Sequence, residues 1–282
     1  MSAFTVVILV SSAACLFVLT ASTISHDYSW VDRSWSILPA IYVWIFAGFV
    51  GLADARLNVM AVLVTLWAAR LTFNFARKGG YSGVEDYRWA VLRTRMKPWQ
   101  FELFNLFFIT LYQNLILLLI TLPALTASEH PGTPFGPLDG VVAVLFLGFL
   151  AGETVADQQQ WTFQQQKKAG GGDFRPRFLT TGLWRFSRHP NFFFEQAQWW
   201  ALFFFGAIAA GSVLQWTVLG ALLLTLLFVG STVFTETITK SKYPEYSEYQ
   251  ARTSPIVPCF ARGGRTLSTE EVGTEAVIKG DQ

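Results

Sequence analysis

Long apolar runs alternate with shorter polar segments along most of the chain. The first run, Ser2–Ser25, contains no Lys, Arg, Asp or Glu and is long enough to cross a hydrocarbon core of ~30 Å as a helix. The further runs are Trp35–Ala53, Leu57–Ala76, Phe101–Ala127, Leu138–Ala156, Asn191–Ala210 and Ser212–Thr235. This pattern predicts an all-α, polytopic membrane protein with about seven transmembrane helices.

The first run has a second interpretation, a cleaved signal peptide. A signal peptide normally begins with a basic segment, and no Lys or Arg precedes this run. We therefore expect the first run to be a membrane span.

Composition supports the membrane interpretation and excludes several other classes. Of the 282 residues 52% are hydrophobic and 14% are charged, whereas about a quarter are charged in soluble domains. The formal net charge of +2 argues against nucleic acid as a partner, and two Cys with three His argue against a metal centre or a disulfide framework. The expected surroundings are a lipid bilayer.

The distribution of Lys and Arg predicts how the chain is oriented in the membrane. They cluster in the loop 77–100, in the loop 157–190 and in the tail after Glu236, whereas the loop 128–137 has none. With seven spans all three basic segments lie on one side, which the positive-inside rule makes cytoplasmic. The N-terminus is then outside and the C-terminus cytoplasmic. We expect one membrane domain over residues 1–260 and a disordered polar tail over 261–282.

The segment before the sixth run has the features of an anion site. His189 precedes Pro190, a residue suited to the first position of a helix, and Arg185 and Arg188 flank that helix start. Asn191 and Glu195 lie four residues apart and share a face. The structural alternative is that the arginines anchor the helix at the membrane surface, Asn191 caps it and Glu195 pairs with an arginine.

Two other groups of polar residues lie at membrane depth. Glu153 and Asp157 are spaced by four residues, so they either accept hydrogen bonds from a ligand or pair with arginines of the next loop. Arg70 lies within about two turns of the end of its run, and the simplest expectation is that it extends to the membrane surface.

These residues together resemble a known family. The segment from Thr180 to Glu195 (TTGLWRFSRHPNFFFE), the acidic pattern around Asp157, and Tyr246 with Tyr249 before Pro258 are similar to the DUF1295 family, which is related to the C-terminal domain of steroid 5-alpha-reductases. The similarity covers roughly residues 30 to 258. Isoprenylcysteine carboxyl methyltransferases and sterol reductases contain similar Arg-His-Pro segments.

The resemblance implies a seven-helix reductase that binds NADPH from the cytosol and reduces a carbon–carbon double bond of a lipid-soluble enone or steroid-like substrate. Asn191 and Glu195 would hold the nicotinamide end, and Asp157 would lie near the adenosine. The remaining cofactor-binding residues implied by the motif are Arg175, Arg177, Arg185, Arg188, His189, Tyr243 and Tyr246.

The chain also departs from the family pattern. Phe192 and Phe194 stand where relatives commonly have Tyr and Gly, and the acidic and phenolic proton donors of steroid reductases have no evident counterpart, so Asp32 and Tyr112 are the catalytic candidates. Two alternatives therefore stay open: an S-adenosylmethionine-dependent membrane methyltransferase and a catalytically silent membrane scaffold. The expected membrane is the endoplasmic reticulum in a eukaryote or the inner membrane in a bacterium.

Overall fold

The computed structural model describes residues 1–171 and 174–259, and its regular structure is helical. The predicted disordered tail, 261–282, lies outside these residues. The helices are α1 Ala3–Ser25, α2 Trp30–Trp35, α3 Leu38–Phe49, α4 Ala55–Arg77, α5 Tyr87–Arg95, α6 Pro98–Phe104, a π-helical segment Asn105–Tyr112, α7 Gln113–Leu119, α8 Leu122–Glu129, α9 Pro137–Ala169, a 3₁₀ turn Gly182–Arg185, α10 Pro190–Ala210, α11 Val218–Lys242 and α12 Tyr246–Arg252.

Local sequence explains where the long helices begin and end. The side chains of Ser2 and Asp54 accept hydrogen bonds from the first turns of α1 and α4. Pro190 occupies the first turn of α10, where its missing N–H costs nothing. Gly211 ends α10 with a φ of 64°, a left-handed conformation that favours glycine.

Contacts between helix ends show how the chain is arranged. The backbone N–H of Tyr28, after α1, donates to Glu85, after α4, so these two helices run in the same direction. The other end of α4 meets the start of α9 through an ion pair between Arg56 and Asp139. Similar contacts join the ends of the later helices, as when Thr133, before α9, donates to the carbonyl of Ala209 at the end of α10. In the described residues the chain thus passes seven times between the two ends of one bundle, as α1, α3, α4, α6–α8, α9, α10 and α11. The basic segments 77–97, 167–171, 174–188 and 240–252 lie at the same end, which we call the basic end.

Five of these passes are long and apolar enough to cross a membrane: Ala3–Ser25, Ala55–Arg77, Pro98–Glu129, Pro137–Ala169 and Val218–Lys242. Of the other two, α3 has only 12 residues and α10 has 21 residues but includes Glu195, Gln196 and Gln198. The protein is thus a polytopic all-α membrane protein, as predicted. The count of seven membrane spans and the side on which the termini lie stay predictions.

The core lies between α4, α10 and their neighbours. Trp67 of α4 and Trp199 of α10 are fully buried and meet edge to face, with ring centroids 4.7 Å apart. Large apolar side chains of α1, α9 and α11 point outward, as Phe17, Val144 and Leu226 do with more than half of their surface exposed. Such an apolar outer surface suits a lipid bilayer rather than water.

Candidate functional site

A buried group of charged side chains lies inside the bundle, near its basic end. The guanidinium of Arg70 contacts Glu153 at 2.7 Å, Asp157 at 2.6 Å and Glu195 at 3.4 Å. Each of the four side chains is about nine-tenths buried or more. We call these four residues the carboxylate cluster.

Helical periodicity brings the cluster together. Trp67, Arg70 and Asn74 succeed one another at steps of three and four residues and share one face of α4, as Glu153 and Asp157 do on α9. Glu195 lies in the second turn of α10. Because α4, α9 and α10 meet here, residues more than a hundred positions apart in sequence become neighbours.

Neutral hydrogen-bond donors hold the carboxylates in place. The indole N–H groups of Trp67 and Trp199 both donate to Glu195, at 2.9 to 3.0 Å and 2.9 Å. The amide of Asn74 donates to Asp157 at 2.7 Å, and that of Gln198 donates to Glu153 at 2.7 Å. These donors add no charge, so the cluster itself contains three carboxyl groups and one guanidinium.

Several polar atoms in and near the cluster lack a hydrogen-bond partner. Gln198 is completely buried and its Oε1 has no partner, and neither does Nε of Arg70. The Oδ1 of Asn191, one turn before Glu195 on α10, is likewise unpaired. Buried polar atoms are nearly always paired, so a water molecule or a ligand group is needed to complete the hydrogen bonding of these atoms.

Two expectations from the sequence need correction. Arg70 does not extend to the membrane surface, because the three carboxylates hold it in the interior. Glu153 and Asp157 do pair with an arginine, but it comes from α4 and not from the loop that follows them. Only packing of α4 against α9 brings these side chains together.

A cavity of about 530 Å³ lies at the basic end, between the last turns of α9 and the loop that follows. Its walls are formed by Gln158, Gln159, Thr162, Phe163, Gln166, Phe174, Arg175, Pro176, Leu179, Thr180, Thr181 and Gly182. Gln158 links the cavity to the cluster, because it accepts a hydrogen bond from Arg77, which also donates to Asn74. Asn74 in turn binds Asp157.

The predicted phosphate-binding arginines differ in how exposed they are and in whether they already have a partner. Arg175 lines the cavity and is exposed, as is Arg185, which stacks on Phe186. Arg177 is partly buried, and its carbonyl accepts a hydrogen bond from Lys167. Arg188 is buried and already occupied, since it forms a two-point ion pair with Glu236 at 2.6 and 3.0 Å.

Residues around Arg188 fasten the C-terminal segment to the start of α10. Glu236 also contacts His189 at 3.1 Å and Gln250 at 2.8 Å, and Arg188 donates to backbone carbonyls of Gln250 and Thr253. We call Arg188, His189, Glu236 and Gln250 the latch. His189 therefore lies beside Glu236 and not in the cavity.

The predicted tyrosines lie close to the latch. The hydroxyl of Tyr246 is 3.4 Å from Glu236, and burial together with that carboxylate raises the pKa of Tyr246. The hydroxyl of Tyr243 accepts a hydrogen bond from Nζ of Lys167 at 3.2 Å, and the Tyr243 ring lies near Phe178 of the cavity loop. Both tyrosines thus lie behind the loop that forms one cavity wall.

The two catalytic candidates do not contact the carboxylate cluster. Asp32 accepts a hydrogen bond from the indole of Trp89 at 3.1 Å, and burial and the neighbouring Asp86 raise the pKa of Asp32. A carboxyl group with a raised pKa suits proton donation. Tyr112 ends the π-helical segment and stacks on Phe108.

Comparison with known proteins decides the family. The family described as "Protein of unknown function (DUF1295)" matches residues 16–253. The chain belongs to the DUF1295 family. An uncharacterized protein of Schizosaccharomyces pombe is 40% identical over 254 residues, which cover 83% of this chain and 73% of the relative. No solved structure matches the chain.

The DUF1295 match includes the whole carboxylate cluster, the latch and the cavity wall, which lie between residues 70 and 250. Phe194, expected from the sequence to stand where relatives have a smaller residue, packs against α9. A Cβ added to Gly152 of α9 would lie 2.5 Å from the Phe194 ring, so the ring occupies the space that this glycine leaves open.

An apolar groove of about 400 Å³ runs between α9 and α10 on the other side of α10 from the cluster. Its lining residues are Val142, Leu145, Phe149, Phe193, Gln196, Ala197, Trp200, Ala201, Phe204, Ile256 and Val257. The groove therefore suits an apolar molecule, with the amide of Gln196 as the polar group in its wall.

Proposed function

We propose that this DUF1295 protein is an NADPH-dependent membrane oxidoreductase that reduces a carbon–carbon double bond of a lipid-soluble enone. The observation that carries the proposal is the connection between the cavity at the basic end and the buried carboxylate cluster through Gln158, Arg77 and Asn74. In this proposal a long polar ligand spans the cavity and the cluster, with a phosphate-bearing part near the surface and a ring deeper in the bundle.

The residues fit the cofactor in three respects. Arg175 and Arg185 are exposed cations at the cavity and beside it, as phosphate groups require. The unpaired Oδ1 of Asn191 and the carboxylate of Glu195 are acceptors for a carboxamide. Asp157 directly precedes Gln158, which lines the cavity, and in this proposal its carboxylate accepts a hydrogen bond from a ribose hydroxyl. The bound cofactor would supply a hydride, and the protein would bind and orient it.

The latch residues have a different role in this proposal. Arg188 and His189 hold the first turn of α10 against the C-terminal segment, so they position Asn191 and Glu195. The lipid-soluble substrate would enter from the bilayer, where the apolar groove lies along the same helix. These two features support a membrane enzyme with a lipid-soluble substrate.

A titration of the detergent-purified protein with NADPH tests the proposal. We expect saturable binding that weakens about tenfold or more in Arg175→Ala, since a charged hydrogen bond contributes about 1.5–3 kcal/mol. Arg95→Ala removes an exposed arginine at the same end that does not line the cavity, and it should bind like wild type. Absence of NADPH binding to the folded protein would contradict the proposal.

A second variant tests whether the carboxylate cluster, and not only the cavity, contributes to NADPH binding. Glu195→Gln should also weaken NADPH binding by about tenfold, because it replaces a charged acceptor that two indoles already orient. Unchanged affinity in this variant would remove Glu195 from the site, whatever Arg175→Ala does.

The excess of carboxylates favours a second candidate, an S-adenosylmethionine-dependent methyltransferase. The sulfonium of S-adenosylmethionine is positively charged, and the cluster offers three carboxyl groups against one guanidinium. Thermal unfolding with each ligand separates the candidates. Stabilisation by NADPH alone supports the reductase, stabilisation by S-adenosylmethionine alone supports the methyltransferase, and stabilisation by neither supports a silent scaffold.

A further inference from the structure

The carboxylate cluster has more acid groups than its basic partners balance. Two of its carboxyl groups share one nitrogen, because Nη2 of Arg70 lies 2.7 Å from Glu153 and 3.4 Å from Glu195. Asp157 occupies the other terminal nitrogen at 2.6 Å. A single positive charge thus faces three acids, and a buried excess of like charge is costly unless a proton or a cation compensates it.

The other charged groups near the cluster do not remove this excess. They come from the end of α4. Arg77 donates to Asn74, to Gln158 and to the backbone carbonyl of Asp157, all neutral acceptors. Lys78 is exposed, and its charge lies close enough to interact with Asp157 and Glu153, but it forms no ion pair with the three acids among the residues that the structure describes. From α9 and α10 only the acids themselves face Arg70.

A second observation identifies where a proton fits. Gln198 is 0% exposed, its Nε2 donates to Glu153 at 2.7 Å, and its Oε1 has no donor. A protonated carboxyl group is a hydrogen-bond donor, whereas a carboxylate is not. Protonation of Glu153 would lower the excess charge. Rotation of the Gln198 amide, which exchanges the positions of its nitrogen and oxygen, would then let the unpaired oxygen accept the new proton.

We propose that Glu153 holds a proton in the ligand-free protein and releases it when a positively charged group binds at the carboxylate cluster. The proposal rests on the proposed function for the identity of the probes, and it adds that the site distinguishes ligands by charge. One positive charge enters as one proton leaves, so the charge of the buried site is unchanged. A neutral ring offers no such compensation and leaves the proton in place.

Infrared difference spectroscopy of the ligand-free, detergent-purified protein tests the first half without any ligand. We expect the wild-type minus Glu153→Gln difference spectrum at neutral pH to contain the absorption of a protonated carboxyl group. Asp32→Asn removes a different carboxyl group, one whose pKa burial raises, and should retain the Glu153 absorption. Glu129→Gln changes an exposed acid at the opposite end and should retain the absorption. An unchanged absorption in folded Glu153→Gln protein would overturn the proposal.

Titration with NADP⁺ and NADPH at several pH values in weak buffer tests the second half. The nicotinamide ring is positively charged in NADP⁺ and neutral in NADPH. We expect about one proton released per NADP⁺ bound and an affinity that rises about tenfold per pH unit, with neither effect for NADPH. Glu153→Gln should bind NADP⁺ without proton release. S-adenosylmethionine, a second cation, should release a proton if it binds.

The outcomes separate the two proposals. Binding of NADPH together with NADP⁺ binding that releases no proton would overturn the charge coupling and leave the reductase proposal intact. Failure of NADPH and NADP⁺ to bind would contradict the reductase. In that case S-adenosylmethionine tests the coupling, which is overturned if this cation binds without releasing a proton or does not bind.

Discussion

Two buried arginines, one at each end of the bundle, have contrasting partners. Arg56 forms a two-point ion pair with Asp139 at 2.6 and 2.9 Å and donates to the carbonyls of Thr133 and Pro134. Both charged side chains are 1% exposed, and the backbone N–H of Gly136 also donates to Asp139. Arg70 instead meets three carboxyl groups and keeps an unpaired Nε.

The difference distinguishes a structural ion pair from a binding site. A pair with matched charges and complete hydrogen bonding needs nothing more, so the Arg56 pair joins α4 to α9 and closes the loop before α9. A cluster with excess charge and unpaired atoms is incomplete by itself. Burial alone would have assigned both arginines the same role.

Neutralising Asp139, the acid of the Arg56–Asp139 pair, should lower the free energy of unfolding more than any other change considered below. Asp139→Asn leaves the Arg56 guanidinium buried without a counter-charge, and we expect it to lower the free energy of unfolding by about 3–5 kcal/mol. Unfolding of the helical circular dichroism signal in mixed micelles measures this change. Glu129→Gln, an exposed acid at the same end, is the control. A loss below about 1 kcal/mol would contradict a structural role for the pair.

Neutralising Glu236 of the latch should also lower the free energy of unfolding, but by less than neutralising Asp139. Glu236→Gln removes the counter-charge of Arg188, but the carbonyls of Gln250 and Thr253 remain as acceptors. We expect a loss of about 2–3 kcal/mol in the same unfolding measurement. Glu245→Gln, an exposed acid before α12, should change stability little. Equal stability of both variants would show that the latch does not secure the C-terminal segment.

The third prediction concerns the contact between Gly152 of α9 and Phe194 of α10, because this packing places Glu195 beside Glu153. Gly152→Ala introduces a Cβ that meets the Phe194 ring at 2.5 Å, and we expect a loss of about 1–3 kcal/mol. Combining it with Phe194→Ala should recover part of the loss, because the ring that causes the clash is absent. Gly140→Ala, on the same helix with open space around it, is the matched control. No recovery in the double variant would refute the contact as the cause.

Neutralising an acid of the unbalanced cluster should have the smallest effect on stability. Glu153→Gln removes one of three acids around Arg70 and retains an acceptor for it, so we expect a change within about 1 kcal/mol. This variant and Asp139→Asn make the same chemical change at two buried arginines. A loss as large as that of Asp139→Asn would break the distinction between the two regions.

Much of the architecture could be predicted because hydrophobic runs and basic loops report it directly. The apolar runs correspond to helices, and the all-α membrane class is confirmed. The second run is shorter as a helix than predicted, because Ser36 and Ile37 form a turn between α2 and α3 and α3 ends at Phe49. The membership in the DUF1295 family, read from the segment around Arg188 to Glu195, is also confirmed.

The candidate site was only partly predictable. The sequence predicts site roles for Asp157, Asn191 and Glu195, favours the membrane surface for Arg70 and leaves two alternatives open for Glu153. Arg188 and His189, interpreted as anion-binding residues, contact Glu236 instead. The position of Glu236 in the last turns of a membrane helix was the available signal, since an acid at that depth requires a partner.

The helices, their surroundings in lipid and the family could all be predicted from the chain alone, because each depends on local composition or on a contiguous motif. The tertiary structure decided which acid meets which arginine. That choice depends on how α4, α9, α10 and α11 pack, which joins side chains from distant positions. The balance of charge around Arg56 and its imbalance around Arg70 follow from this packing alone.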